Sequence, residues 1–159
     1  MRARRKRPWG WLAVAVLAAA TLGGAQVARA ASCTFSSVTG VSFGSYDVFS
    51  LTPADGAGNI AYECTGGATV TISLSRGNAP SFLPRLMLKP GGATLSYNLY
   101  LDGGHSTVWG DGTGATAVYG PIAPPDNSII MVPIFGRLPA GQDAQIGVYD
   151  DTITATINF

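Results

Sequence analysis

Gly147-Val148-Tyr149-Asp150-Asp151-Thr152-Ile153-Thr154-Ala155-Thr156-Ile157-Asn158-Phe159 closes the chain, and its alternation decides the fold class. Ile153, Ala155, Ile157 and Phe159 fall on one face, while Thr152, Thr154, Thr156 and Asn158 fall on the other. A period of two in β-branched residues is the pattern of a strand with one face buried. Read as the last strand, it has no successor to cover its edge. A flat apolar edge is a surface that natural proteins shield. The expectation is that another polypeptide supplies the missing neighbour.

The same pattern recurs upstream. Short alternating runs near 42–49, 59–64, 69–75, 95–101, 117–122 and 129–135 are separated by clusters of Gly, Pro, Asn and Asp, and no long helical period interrupts them. With 147–159 they make seven strands, which predicts an all-β sandwich of about seven strands. Residues 31–159 have the size of one domain.

The N-terminus carries a different signal. Arg2, Arg4, Arg5, Lys6 and Arg7 precede an apolar run from Trp9 to about Leu22, and Ala28-Arg29-Ala30 follows. Residues 1–30 therefore read as a secretory leader cut before Ala31, with no membrane span left afterwards. Cleavage removes six of the ten basic residues and leaves Arg76, Arg85, Lys89 and Arg137 against nine acids, a formal charge of −5. No basic patch remains for nucleic acid.

Two cysteines, Cys33 and Cys64, in a chain bound for an oxidising compartment predict one disulfide. A metal or thiol role lacks partners, since His105 is the only histidine and no Cys-x-x-Cys occurs. His105 sits in a glycine-rich turn, Leu101-Asp102-Gly103-Gly104-His105-Ser106, where solvation is the ordinary reading. Asp150 and Asp151 are adjacent, so in a strand they point to opposite faces and cannot converge as a carboxylate pair. No phosphate-cradling loop leads into a helix. The chain reads as a non-enzyme with no catalytic residue, no cofactor and no metal.

Two clusters invite a surface role. Val108-Trp109-Gly110-Asp111-Gly112 places an aromatic before an Asp-Gly turn, as a sugar platform or, preferably, as a tryptophan folded into the core. Pro80-Ser81-Phe82-Leu83-Pro84-Arg85-Leu86-Met87-Leu88 is apolar with weak alternation. It reads equally as core or strand, or as an adhesive loop displaying Phe82, Leu83, Leu86, Met87 and Leu88.

Cys33, Phe43-Gly44-Ser45-Tyr46, Cys64, Arg85-Leu86-Met87, Leu95-Ser96-Tyr97-Asn98-Leu99-Tyr100, Trp109-Gly110-Asp111-Gly112, Phe135-Gly136-Arg137-Leu138-Pro139-Ala140-Gly141-Gln142 and Gly147-Val148-Tyr149-Asp150-Asp151-Thr152 follow one another in order. This series resembles the spore coat protein U domain family, which includes the secreted pilins of archaic chaperone–usher pili. The resemblance implies an incomplete immunoglobulin-like sandwich that lacks its final strand. A periplasmic chaperone lends that strand, and at the outer-membrane usher a neighbouring pilin subunit's N-terminal extension replaces it. Ile153, Ala155, Ile157 and Phe159 would then face the inserted strand, in a periplasmic and finally surface-exposed pilus protein of adhesion and biofilm. Polymerising relatives carry a donor strand before the first cysteine, whereas only Ala31 and Ser32 would precede Cys33 here. The expectation is a tip or terminal subunit. The alternative is a self-contained secreted spore-coat or carbohydrate-binding module, with Trp109 or Tyr119 against sugar.

Overall fold

The computed structural model describes residues 30–159; residues 1–29, which hold all but the last residue of the expected leader, lie outside it. Eight strands form: β1 (Ser32–Ser42), β2 (Ala54–Thr65), β3 (Val70–Leu74), β4 (Arg85–Leu88), β5 (Thr94–Tyr100), β6 (Tyr119–Ile122), β7 (Ile129–Leu138) and β8 (Ala155–Asn158). They build a five-stranded sheet in the order β1-β2-β7-β5-β4 and a three-stranded sheet in the order β6-β3-β8. All named pairings are antiparallel. The molecule is an all-β sandwich of the immunoglobulin-like kind. Among the described residues no helix is long and apolar enough to cross a membrane.

Alternation directs the packing. Val70, Ile72 and Leu74 of β3 face Ile60, Tyr62 and Cys64 of β2, together with Leu95, Tyr97 and Leu99 of β5 and Val132, Ile134 and Leu138 of β7, in one buried cluster. Trp109 is fully buried among them, and its Nε1–H donates to the Ile72 carbonyl at 2.9 Å. A buried indole needs such a partner, so the tryptophan belongs to the core and offers no sugar platform. Cys33 and Cys64 stand opposite each other in the β1–β2 register and are joined by the disulfide.

Three expectations change. The first strand is Ser32–Ser42, and 43–49 is irregular, ending in a turn where Asp47 accepts the Phe49 and Ser50 N–H groups. Bulges between Phe35 and Ser37 and between Thr39 and Ser42 break the period that a sequence scan follows. The stretch 85–88, weakly alternating on paper, is strand β4 paired with β5. The terminal strand is short: only Ala155–Asn158 pairs with β3, and residues 150–154 cross from one sheet to the other.

Arg85 explains why β4 was hard to read. It is a charged residue on the inward face of its strand and is fully buried. Its Nη1 donates to Asn98 Oδ1 at 2.8 Å and its Nη2 to the Trp109 carbonyl at 2.6 Å. Nε and Nη2 share the Ser75 carbonyl at 3.1 and 3.0 Å. The Phe82 ring lies 5.1 Å below the guanidinium. Desolvation lowers the pKa of Arg85, with Tyr97 and Asp151 opposing. The planar fork satisfies four acceptor bonds at once, which a lysine ammonium cannot do.

We expect Arg85→Lys and Arg85→Met each to lower stability by roughly 3 kcal/mol, because buried carbonyls lose their donors. Urea unfolding of the oxidised protein checks this. Reducing the Cys33–Cys64 bond, which spans 31 residues of sequence, should cost about 3–4 kcal/mol in the same assay.

Candidate functional site: an open groove between two sheet edges

Strand β1 ends the five-stranded sheet and β8 ends the three-stranded one, so each has a single ladder partner. These two edges flank a groove of ≈ 420 Å³. Val38, Gly40, Val41 and Phe43 form one wall, and residues 149–153 with Ala155 form the other. The floor is core itself: Ile60, Leu74, Leu99, Ile134, Met87 and Tyr97. The sandwich is thus open along one seam down to its buried cluster.

A second hollow of ≈ 670 Å³ continues from the first, sharing Val41, Phe43, Met87 and Tyr149 with it. Its walls are the end of β1 with the irregular 43–49 segment, and residues 144–149. Tyr46 holds the first wall: its hydroxyl donates to the Pro139 carbonyl at 2.8 Å and accepts the Gln142 N–H at 2.9 Å. The Gln142 amide in turn bonds the Ser96 N–H at 2.7 Å and the Ser96 carbonyl at 2.8 Å, as a neighbouring strand would. At the rim, Phe49, Ile146 and Val148 stand in solvent, with Ile146 97% exposed, and Leu51, two residues beyond Phe49, is 94% exposed.

The glycines Gly56 and Gly136 face each other across β2 and β7. A Cβ on Gly136 would press on Val41 at 2.6 Å and on Phe43 at 2.8 Å, so bare backbone here gives those side chains their seats on the groove wall.

The sequence-assigned acceptor residues divide. Ile153 and Ala155 are half-buried and line the groove. Ile157 is half-buried and packs on the core cluster. Phe159 is 56% exposed and belongs to neither. The alternation was legible; the reach of the groove was not, because residues 150–154 switch sheets without regular pairing.

Of the five residues read as an adhesive loop, Phe82 and Met87 are buried and Leu86 is half-buried, leaving Leu83 and Leu88 exposed. The stretch is corrected to a largely structural one, held by β4 pairing and by the Asn98 Nδ2–H bond to the Phe82 carbonyl at 2.9 Å. The exposed apolar residues that sequence reasoning missed lie instead at Phe49, Leu51, Ile146 and Val148. Their signal was a bulky apolar residue inside polar, glycine-containing loops.

His105 is also corrected. It is not solvated: its side chain is 8% exposed, edge-on to Tyr100 at 5.1 Å, with Nε2 3.8 Å from Asp55 Oδ1. The Arg137 guanidinium grips Asp55 with two 2.7 Å bonds and lowers its pKa. Among the described residues no group of three or more His, Cys, Asp or Glu side chains forms a metal centre.

A two-sheet sandwich with one seam open to its core is the class that fold and site define. The Spore Coat Protein U domain matches residues 19–156, and the chain belongs to that family. It is 31% identical over 131 residues to Protein U of Myxococcus xanthus, covering 75% of this chain and 71% of that protein. Among solved structures it resembles a chain of the CsuC–CsuE chaperone–tip adhesion subunit pre-assembly complex from archaic chaperone-usher Csu pili of Acinetobacter baumannii. The TM-score is 0.50 at 18% identity, over 82% of this chain and 40% of that one. The chain therefore spans about two fifths of that relative's length, and the likeness is one of fold.

Burial raises the pKa of both Tyr62 and Tyr97, and in Tyr97 the bond to Asp151 adds to it. A phenol whose folded pKa exceeds its unfolded value of about 10 contributes stability that is intact below pH ~10 and is lost as pH rises past it. We expect the melting temperature to fall above that pH. Tyrosinate absorbance should show part of the six tyrosines withheld from ionisation until the chain unfolds.

Proposed function

We propose that this protein is a structural or adhesive pilus subunit assembled by donor-strand complementation through a chaperone–usher pathway. The observation that carries the reading is the groove whose walls are two sheet edges and whose floor is the core. Such a seam accepts an extended strand twice over: each edge offers backbone donors and acceptors, and the floor takes alternate apolar side chains. Family membership and the likeness to a chaperone–subunit complex support it. By this reading the partners are a periplasmic pilus chaperone, an outer-membrane usher and a neighbouring pilin that donates a strand. Ile153 and Ala155 contact the donor directly, Ile157 and Phe159 extend that face, and the protein passes through the periplasm to the cell surface. Adhesion falls to the exposed apolar residues rather than to the buried part of 82–88. The role is non-covalent and needs no catalytic residue or cofactor.

A terminal position in the pilus belongs to the same proposal. Ser32 already pairs with Thr65 and Cys33 is bonded to Cys64, so residues from Ser32 onward are committed to this domain's own sheet. Cleavage before Ala31 then leaves no extension of the ten or so residues that a paired donor needs.

The test is thermal unfolding of the secreted protein with and without an alternating donor peptide. At a free concentration about a hundredfold above Kd, the peptide should raise the melting temperature by roughly 10 °C. Ala155→Asp, which places a charge in the seam, should abolish that shift. A protein that melts cooperatively and ignores every donor strand and chaperone would be the self-contained surface module instead.

A further inference from the structure

Residues 150–154 leave one sheet and join the other. At Asp150 the backbone is bonded to Leu88 of β4 in both directions, at 2.8 and 3.0 Å. By Thr154 it is bonded to Ser75 beyond β3: the Thr154 carbonyl accepts the Ser75 N–H at 2.9 Å, and the Thr154 N–H donates to Ser75 Oγ at 2.9 Å. Between these anchors the chain is held by one carboxylate. Asp151 Oδ2 accepts the Tyr97 hydroxyl at 2.7 Å, while Oδ1 accepts the Asn78 N–H at 2.9 Å and the Thr152 N–H at 2.8 Å.

The site is shaped for that carboxylate. Gly77 has φ +65°, and a Cβ there would collide with the Asp151 carboxylate. Tyr97 is buried on the groove floor, and its ring also meets Phe43 of the opposite wall, edge-on at 5.9 Å. One phenol thus touches both walls: its oxygen holds residue 151 and its ring holds residue 43.

We propose that Asp151 and Tyr97 are a positioning clamp that fixes the spacing and register of the two groove walls, so that an entering strand is selected for alternation. The proposal rests on the strand-acceptor reading. Ala155 is fixed by its pairing with Leu74, but side chains alternate with a period of two, so a slip of the unpaired stretch 151–153 would turn Ile153 away from the seam. The walls would still be apolar after release, but they would no longer present a matched pattern to the entering strand.

The experiment compares two ten-residue peptides of the same composition, one alternating valine and threonine and one with the valines in a block. Binding to the secreted protein, to Tyr97→Phe and to Asp151→Asn is measured by fluorescence anisotropy, alongside Val132→Ala, a substitution at a core residue that does not itself line the groove. The wild type and Val132→Ala should prefer the alternating peptide, and both clamp variants should lose roughly tenfold of that preference. Tyr97→Phe keeps the ring against Phe43 and carries the test if Asp151→Asn fails to fold. If the clamp variants melt earlier yet keep the wild-type preference, as Val132→Ala should, the pair is merely structural and the proposal is overturned. A wild type that binds neither peptide overturns the strand-acceptor reading itself, and the clamp falls with it.

Discussion

The guanidinium of Arg85 is the point on which this sandwich depends. It is buried without a carboxylate in hydrogen-bond contact and is held by the Ser75 and Trp109 carbonyls and by the Asn98 side-chain oxygen. Ser75 follows the small-sheet strand β3, Asn98 lies in β5 of the large sheet, and Trp109 reaches back to Ile72 of β3. A charge removed from water needs every one of these acceptors, so the two sheets are spaced by the dimensions of one planar group. That spacing also locates the end of β3, and through Ser75 it locates Thr154 and the entry to β8. The groove wall is therefore placed by an interaction that is itself buried from solvent.

The open seam follows from the same economy. A sandwich closes its edges by adding strands, and here β1 and β8, which flank the groove, are each paired on one side only. The hydrophobic cluster is complete enough to bury Ile60, Val70 and Ile72 fully, yet the seam leaves Val38 and the loop residues around Phe49 and Ile146 in water. Exposed apolar side chains gathered at the mouth of a groove are characteristic of surfaces that exchange water for a partner.

Much of this was legible in the sequence, for definable reasons. Strands with one face in the core, such as β3 with Val70, Ile72 and Leu74, announce themselves by alternation, and so does the terminal Ile153, Ala155, Ile157 series. The cysteine pair followed from compartment and count. β1 was missed because its edge position keeps it polar and two bulges break its period. β4 was missed because an inward arginine contradicts the pattern unless its acceptors are known, and they come from residues 75, 98 and 109. The tether between Tyr97 and Asp151 joins residues 54 positions apart, and no local pattern encodes it. His105 was misjudged because the glycines around it describe the backbone turn but not the ring's pocket between Tyr100 and Phe135.

The placement of the disulfide has a consequence for the order of events during maturation. Cys33 and Cys64 are directly opposite in the β1–β2 ladder. Sliding β1 by a single residue would send Cys33 to the other face of the sheet, out of reach of Cys64. Oxidation can therefore be completed from one alignment of this edge strand and not from its nearest misalignments. Once formed, the bond locks this edge strand, and with it one wall of the groove, to a single alignment.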